Sequence, residues 1–161
     1  MEIRQVEEAD MLEITRIYSH YVINTDISFE TEPPDVGEMT RRMEEFTRTC
    51  PYFVCVADGR IAGYCYAHPW KARAAYAPTL ETTVYLAPEF TGRGIGSLLM
   101  ERLIEACRKA GFVSLIACIT YGNKASCRMH KRLGFRQVSH FRSVGRKFAR
   151  TLDVVDFQLI L

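Results

Sequence analysis

The 161-residue chain is 48% hydrophobic and 25% charged, with a formal net charge of +2, which is the balance of a soluble globular protein. We expect one domain spanning 1–161, because a chain of this length can bury a substantial core. No apolar run approaches the roughly 20 residues of a membrane span, and the charged start MEIRQVEEAD does not resemble a signal peptide. We therefore expect a cytoplasmic protein with no membrane partner.

The small net charge hides two halves of opposite sign. Residues 1–91 carry 8 Lys and Arg against 15 Asp and Glu, whereas residues 92–161 carry 13 against 4. A basic second half favours a polyanionic small ligand. The basic residues are scattered among apolar ones and form no run, which argues against a nucleic-acid partner.

The first half of the chain predicts two helices followed by a hairpin. The elements, in chain order, are a strand at 2–6, helices at 9–22 and 35–49, and strands at 53–57 and 60–67. Asp35 is a suitable N-cap for the second helix. Asp58-Gly59 between the last two strands is a strong hairpin signal.

The second half alternates strands with helices. Its predicted elements are a strand at 80–86, a helix at 95–106, a strand at 112–120, a helix at 123–133, and strands at 135–143 and 152–161. The basic segment GRKFAR is expected to be a loop between the last two strands. Antiparallel hairpins precede βα units in this order, so we predict an α+β fold with a mixed sheet.

A glycine-rich loop, TGRGIGS, joins the strand at 80–86 to the helix that follows. Gly92, Gly94 and Gly96 let the backbone turn sharply and let a ligand approach, since no Cβ intervenes. The next helix presents its unpaired amides to this loop, which favours a phosphate or pyrophosphate. The alternative is a plain strand-to-helix turn. No Gly-Lys-Ser/Thr follows, so it is not a Walker loop.

Two titratable residues are candidates for acid–base chemistry. Glu81 lies within a strand, where carboxylates are depleted, and near a bound ligand it could act as a general base. The alternative is a surface glutamate paired with Lys or Arg. His130, on the helix that starts at Asn123, could donate a proton, or it could be a packed helical histidine. No Ser or Cys has the local signature of a covalent nucleophile.

Two loops carry side chains suited to binding. The segment NTDISFETEPP contains Phe29 and Glu30, and functional residues often lie in such loops; the alternative is a surface loop with one anchoring Phe. The segment HPWKARAAYAP, residues 68–78, combines Trp70 and Tyr76 with three cations or near-cations, His68, Lys71 and Arg73. It could hold a small acidic substrate, or it could be a solvated loop around a buried Trp.

The cysteines show no C-x-x-C pair and no His-rich spacing. We therefore expect reduced, buried thiols and no metal site. The six are Cys50, Cys55, Cys65, Cys107, Cys118 and Cys127.

Five segments in the same order resemble a known enzyme family. NTDISFETEP, GYCYAHPWKARAAY, ETTVYLAPE, RMHKRLGF and KFARTLDV are similar to the phosphinothricin acetyltransferase branch of the GNAT superfamily, which also includes methionine sulfoximine and sulfone acetyltransferases. The resemblance runs through nearly the whole chain. It implies a GNAT-like, mostly antiparallel central sheet flanked by helices, acetyl-CoA as acetyl donor, and a homodimer.

The resemblance also implies roles for individual residues. Glu81 matches the proposed base, and His130 stands where many relatives carry the tyrosine that protonates the departing thiolate. The implied donor-binding residues are Val84, Tyr85, Leu86, Gly92, Arg93, Gly94, Ile95, Gly96, Ser97 and Asn123. The implied acceptor-binding residues are Phe29, Glu30, Lys71, Arg73, Tyr76 and Thr83.

Two positions depart from the family pattern. Thr91 stands where the family motif usually has Gln or Arg, so one polar phosphate contact is missing. Thr151-Leu152 stands where relatives often have Trp, which changes the shape expected for the acceptor pocket.

The resemblance predicts an acetyl-CoA-dependent N-acetyltransferase that acts on the α-amine of a small amino-acid-like substrate, by direct attack. One alternative keeps the fold and changes the acceptor to a protein N-terminus, a polyamine or an aminoglycoside. Others are a non-catalytic CoA-binding module and a nucleic-acid-binding protein. Lys71 and Arg73 favour an acceptor that bears a carboxylate.

Overall fold

The computed structural model describes residues 1–161 and contains one mixed sheet of eight strands. The strands are β1 (Glu2–Gln5), β2 (Tyr52–Ala57), β3 (Arg60–Pro69), β4 (Thr79–Leu86), β5 (Ser114–Thr120), β6 (Arg136–Gln137), β7 (Phe141–Lys147) and β8 (Arg150–Ile160). The helices are α1 (Met11–Asn24), α2 (Val36–Thr47), α3 (Ile95–Lys109) and α4 (Lys124–Arg132). No helix is both long and apolar enough to cross a membrane.

The sheet is antiparallel except at one pair. Its order is β1-β2-β3-β4-β5-β8-β6, with β7 paired to β8 outside this path. β4 and β5 are parallel, and α3 provides the crossover connection that a parallel pair requires. The prediction of an α+β fold with a mixed, mostly antiparallel sheet flanked by helices is confirmed.

Helices cover both faces of the sheet. Successive side chains of a strand point to opposite faces, and β3 shows this with two neighbours. Tyr66 stacks on Phe46 of α2, with ring centroids 5.2 Å apart. Cys65 points the other way, and its thiol donates to the Leu99 carbonyl of α3 at 3.3 Å. The central strands are therefore buried on both sides.

The predicted hairpin and helix cap are present. Asp58 and Gly59 have φ of 53° and 74°, the left-handed pair of a tight turn whose twist matches its strands. The Asp35 carboxylate accepts from the amide of Glu38 at 2.8 Å and so caps α2. The two local sequence signals therefore correctly predicted the turn between β2 and β3 and the start of α2.

The strand predicted at 135–143 is wrong, because the segment between β6 and β7 leaves the ladder. The amide of Asp156 on β8 donates to the Ser139 hydroxyl at 2.9 Å, so a side chain replaces a backbone partner. Ser143 has φ of 55°, and its amide donates to the Asp153 carboxylate at 2.8 Å. Such side-chain to backbone bonds compete with strand pairing and leave no trace in hydrophobic spacing.

The prediction of a loop at GRKFAR is also wrong. Lys147 and Arg150 are paired residues at the end of β7 and the start of β8, so β8 begins before Leu152. Only Phe148 and Ala149 form the turn, with φ of 51° and 57°. Positive φ is uncommon outside glycine, and the sequence therefore offered no hairpin signal here.

The cysteine prediction holds in part. All six are free, and Cys50, Cys55, Cys65 and Cys107 are buried. Cys127 is half-buried, and Cys118 is exposed. The expectation of a buried thiol is therefore wrong for Cys118, which lines a cavity beside β5.

The parallel strands β4 and β5 separate after a short ladder. Residues 79–81 pair with 114–116, whereas β4 continues to Leu86 and β5 to Thr120. Beyond Glu81, β4 stays paired with β3 alone. The sheet opens there into a wedge, and one edge of β4 has no neighbouring strand.

Candidate active site

A cavity of about 1000 Å³ fills the wedge between β4 and β5. Its walls also include parts of α1, β3, α4, the glycine-rich loop and the loop after α1. It brings together most of the side chains and backbone segments singled out in the sequence. These are Phe29, Glu30, Glu81, Thr83, Val84, Tyr85, Leu86, Gly92, Gly94, Gly96, Ser97, Asn123 and His130.

The glycine-rich loop presents unpaired amides to this cavity. Gly92 and Gly94 have φ of 75° and 81°, a conformation that glycine adopts without strain. The first backbone hydrogen bond of α3 is donated by the Ser97 amide to the Gly94 carbonyl, at 3.1 Å. The five amides before it, from Gly92 to Gly96, donate to no backbone carbonyl. Free amides at the start of a 15-residue helix form a ready site for an anion.

Two residues of this loop contribute backbone only. The Arg93 guanidinium lies 3.6 Å from the Asp58 carboxylate and 5.0 Å from the Phe90 ring centroid, on the side of the β2–β3 turn. The Ile95 side chain is in the core, 1% exposed. Neither side chain lines the cavity.

The free edge of β4 forms the long wall of the cavity. One backbone carbonyl of this strand already accepts a hydrogen bond: the Tyr21 hydroxyl donates to the Leu86 carbonyl at 2.7 Å. Tyr21 also packs against Tyr85, with ring centroids 5.0 Å apart. These contacts hold β4 in place but leave the backbone groups of its outer edge without a strand partner. An extended ligand can therefore align with Val84 and its neighbours.

Helix α4 forms the wall opposite β4. Asn123 caps the helix, its side-chain oxygen accepting from the Ser126 amide at 3.2 Å, which leaves its NH₂ group to donate. Arg128 and Arg132 also line the cavity. The two acidic residues of the lining pair with other side chains, so these arginines are available to an anionic ligand. The charge distribution of the sequence predicted a basic second half but did not single out these two positions.

His130 is buried on α4, 3% exposed. Its Nδ1 lies 2.9 Å from the Ser126 carbonyl, which can only accept, so Nδ1 carries the hydrogen. Burial lowers the pKa of His130, and the Ser126 carbonyl opposes this effect. At neutral pH the ring is therefore neutral, with a lone pair on Nε2, and it must take up a proton before it can act as an acid.

Glu81 lies where β4 and β5 separate. Its side chain is 29% exposed, and its Oε1 is 3.9 Å from Nε2 of His68, the residue opposite it on β3. Burial raises the pKa of the Glu81 carboxyl; charge on His68 opposes that rise, and Asp156 adds to it. A carboxylate whose pKa is raised holds a proton more readily, which suits a general base.

Cys118 lies close to the same acidic pair. It is opposite Asp156 in the β5–β8 ladder and lines the cavity beside Glu81. Partial burial raises the pKa of the Cys118 thiol to about 12, together with the negative charges of Glu81 and Asp156. The thiol therefore stays protonated at neutral pH.

Charged side chains hold the loop that carries Phe29 and Glu30 in place through hydrogen bonds. The Arg42 guanidinium of α2 holds both oxygens of Glu30, at 2.7 and 3.1 Å, and this pair lowers the pKa of the Glu30 carboxyl. The buried Lys147 ammonium donates to the Ser28 carbonyl at 2.7 Å. These bonds fix the loop as a rigid wall of the cavity.

Gly145 on β7 determines where Phe29 lies, because a Cβ at this position would overlap the Phe29 ring. We expect Gly145→Ala to push the ring into the cavity, raising the KM for the acceptor by about 10-fold and lowering the free energy of unfolding by about 1–3 kcal/mol. Gly37→Ala on α2 is the matched control, since its Cβ meets only an ordinary contact. Steady-state kinetics and thermal melts measure both; an unchanged acceptor KM in Gly145→Ala would contradict this packing role.

The structure does not bring Lys71, Arg73 or Tyr76 to the cavity lining. Lys71 lies over the Trp70 ring, with its Nζ 4.2 Å from the centroid, and Arg73 is exposed at the start of a short turn. The segment forms an aromatic cluster beside the end of β3. Of the predicted acceptor-binding residues, Phe29, Glu30 and Thr83 do line the cavity.

The sequence named His68 only as one of the cationic residues suited to an acidic substrate, and it did not predict that His68 lines the cavity beside Glu81. It was assigned to the loop at 68–78, whereas β3 extends to Pro69 and pairs His68 with Glu81. The missing information was the register of the β3–β4 hairpin. Had β3 been predicted to extend to Pro69, His68 could have been placed opposite Glu81 on the neighbouring strand.

Comparisons with known proteins identify the family of this chain. The chain matches the family model described as Acetyltransferase (GNAT) domain over residues 3–155. A phosphinothricin N-acetyltransferase of Streptomyces coelicolor is 40% identical over 162 aligned residues, which cover 98% of this chain and 95% of the relative.

Two solved structures share the whole fold. A ribosomal-protein-alanine N-acetyltransferase from Brucella melitensis superposes with a TM-score of 0.98 and 33% identity, and the match covers 100% of both chains. A GNAT superfamily phosphinothricin acetyltransferase from Sinorhizobium meliloti, solved in complex with acetyl-CoA, has a TM-score of 0.97 and 34% identity, covering 99% of this chain and 88% of its own. The chain belongs to the GNAT family of acetyltransferases, as its motifs predict.

Proposed function

We propose that the chain is a single N-acetyltransferase domain that transfers an acetyl group from acetyl-CoA to the α-amine of a small amino-acid-like acceptor. The observation that carries the proposal is the cavity itself. It joins the free amides of the glycine-rich loop to the half-buried carboxylate of Glu81 along the unpaired edge of β4. An anion site, an extended wall and a base thus lie in one space.

The residues present fit acetyl-CoA, which would supply a thioester carbonyl for attack. In this proposal the amides from Gly92 to Gly96 bind the pyrophosphate, and Arg128 and Arg132 add positive charge. Backbone groups from Val84 to Leu86 pair with the pantetheine arm. The side-chain NH₂ of Asn123 donates to the same ligand.

Glu81 is the proposed base. Amines are mostly protonated near neutral pH, so a proton must leave before the nitrogen can attack. Glu81 accepts this proton, and backbone amides of β4 stabilise the charge that develops on the acetyl oxygen. Once the nitrogen has bonded to the acetyl carbon it must lose a second proton; neutral His130, with Nε2 unprotonated, would accept that proton and pass it to the departing sulfur.

The proposed acceptor is of the phosphinothricin, methionine sulfoximine or methionine sulfone type. Thr83, Phe29 and Glu30 would contact it within the cavity, and the name of the Streptomyces relative supports this class. The amine of an N-terminal alanine is the second candidate, because the neighbour from Brucella is named for that substrate.

The proposal includes a cytoplasmic homodimer. Three exposed apolar side chains on the β7–β8 hairpin, Phe141, Val144 and Phe148, support a protein contact there. The proposed roles of Lys71 and Arg73 in binding the acceptor carboxylate then need a movement of their loop or a partner copy, because they lie outside the cavity of their own chain.

An acceptor panel tests the function by acetyl-CoA-dependent thiol release. We expect kcat/KM for methionine sulfone and phosphinothricin to exceed that for their decarboxylated amines by about 30-fold, as for a lost charged hydrogen bond of about 2 kcal/mol. Faster release with an alanine-initiated ribosomal peptide would support the second candidate. Tight acetyl-CoA binding without thiol release for any amine would reject both and identify a binding module.

A further inference from the structure

We propose that His68 is a positioning residue for the base Glu81, and that its imidazole takes up the proton that Glu81 removes from the acceptor ammonium. This inference rests on the proposed function, since it needs Glu81 to act as the base. It assigns a proton route from the half-buried Glu81 carboxylate through His68 to solvent.

The first support is the orientation of the imidazole. Nδ1 of His68 lies 3.0 Å from the Pro69 carbonyl, and a carbonyl only accepts hydrogen bonds. The hydrogen of the neutral ring is therefore on Nδ1, and the lone pair is on Nε2. This nitrogen is the one that faces Oε1 of Glu81, at 3.9 Å.

The second support is that the ring is held in this orientation. It stacks on Phe46, with centroids 5.2 Å apart and an interplanar angle of 24°, and it also contacts Tyr66 at 6.0 Å. The Glu81 side chain is 29% exposed. A shift of its carboxylate by about 1 Å brings the two atoms within hydrogen-bond range.

The third support is the charge around the pair. The charged and titratable groups near Glu81 are His68 and Tyr66 on β3, Asp156 on β8 and the Cys118 thiol on β5. His68 is the member of this set that becomes positive on protonation. The side chain is 25% exposed, so it also contacts solvent, whereas Asp156 does not line the cavity.

The proton transfer balances without any other reactant. An N–H bond of the acceptor ammonium breaks as an O–H bond forms on Glu81. That O–H bond then breaks as an N–H bond forms at Nε2 of His68, and the imidazolium releases its proton to water at the rim. Glu81 returns to the carboxylate, and no electrons change hands.

The test compares His68→Phe and His68→Gln with the wild-type protein. Phe keeps the stack on Phe46 but removes the titrating nitrogen, and Gln keeps a side-chain N–H but cannot take up a proton. We expect both to lower kcat by about 10-fold or more, with the KM for acetyl-CoA within about two-fold of wild type. Near-normal turnover in His68→Gln would show a merely structural role and overturn the proposal.

The pH profile of kcat/KM gives a readout that packing alone would not move. Removing the positive charge in His68→Phe should shift the acid limb upward by roughly half a pH unit. Asp156→Asn is the control of opposite sign, because it removes a negative charge beside Glu81 and should shift the limb downward. If the acid limb of the kcat/KM profile stayed at its wild-type pH in His68→Phe, the proposal would be contradicted.

A double-variant cycle separates this inference from the proposed function. If His68 acts through Glu81, His68→Phe should cause no further loss of kcat in a Glu81→Gln background. A full additional loss would overturn the inference and leave the base in place. Near-normal turnover in Glu81→Gln alone would instead reject Glu81 as the base, and the role of His68 with it.

Discussion

Glu81→Gln is expected to lower kcat by about 10²–10⁴-fold, the range for a lost general base, with little change in acetyl-CoA affinity. The amide has nearly the shape of the carboxylate but cannot accept a proton, so the loss falls on the chemical step. Steady-state kinetics with saturating acetyl-CoA, together with donor binding by calorimetry, measure both quantities.

The stability of this variant checks that the loss is not one of folding. Burial raises the pKa of Glu81, so its ionisation in the folded state costs free energy as the pH rises through that value. Gln carries no such cost, and the Tm at pH 8 should be equal to or above that of wild type. Glu89→Gln, the same change at an exposed residue outside the cavity, should leave turnover unchanged. A Glu81→Gln enzyme with near-normal kcat would mean that the proton leaves by another route.

Gly94→Val is expected to abolish most of the thermal stabilisation by acetyl-CoA. Gly94 has φ of 81° with nothing within 4 Å of the position of its Cβ, so the substitution acts through backbone strain, about 1–3 kcal/mol, and through a methyl-bearing carbon at the anion site. A ligand at 100 times its Kd stabilises the native state by about 2.7 kcal/mol. Scanning calorimetry with and without acetyl-CoA measures how much of this remains.

Gly111→Val is the matched control for Gly94→Val. Gly111 follows the other end of α3, with φ of 86° and equally open space for a Cβ. Both variants should lose similar stability without ligand, and only Gly94→Val should lose the response to acetyl-CoA. If acetyl-CoA stabilised the two variants equally, the proposal that it binds at the glycine-rich loop would be contradicted.

The sequence predicted the parts of the fold whose determinants are local. Asp35 as an N-cap and Asp58-Gly59 as a turn act over a few residues, and both were found as expected. The hairpin at Phe148-Ala149 was missed because non-glycine residues supply its positive φ. Likewise, the break after β6 depends on Ser139 bonding to a residue of β8, a contact between distant parts of the chain.

The candidate site shows the same division. The glycine spacing singled out Gly92, Gly94 and Gly96, the resemblance singled out Glu81 as the expected base, and all four line one cavity. Neither could predict that His68 faces Glu81, because that contact depends on strand register. Neither could predict that Lys71 lies on Trp70 outside the cavity, because that depends on how the loop packs.

The protonated state of Cys118 has a consequence for the fate of the donor. A cysteine beside a thioester can exchange with it and become acetylated, but the attacking species is the thiolate. With a thiol pKa of about 12, only about one molecule in 10⁵ carries the thiolate at pH 7. Burial of the thiol, together with the negative charges of Glu81 and Asp156, therefore disfavours self-acylation of the enzyme, and the acetyl group is left for the nitrogen.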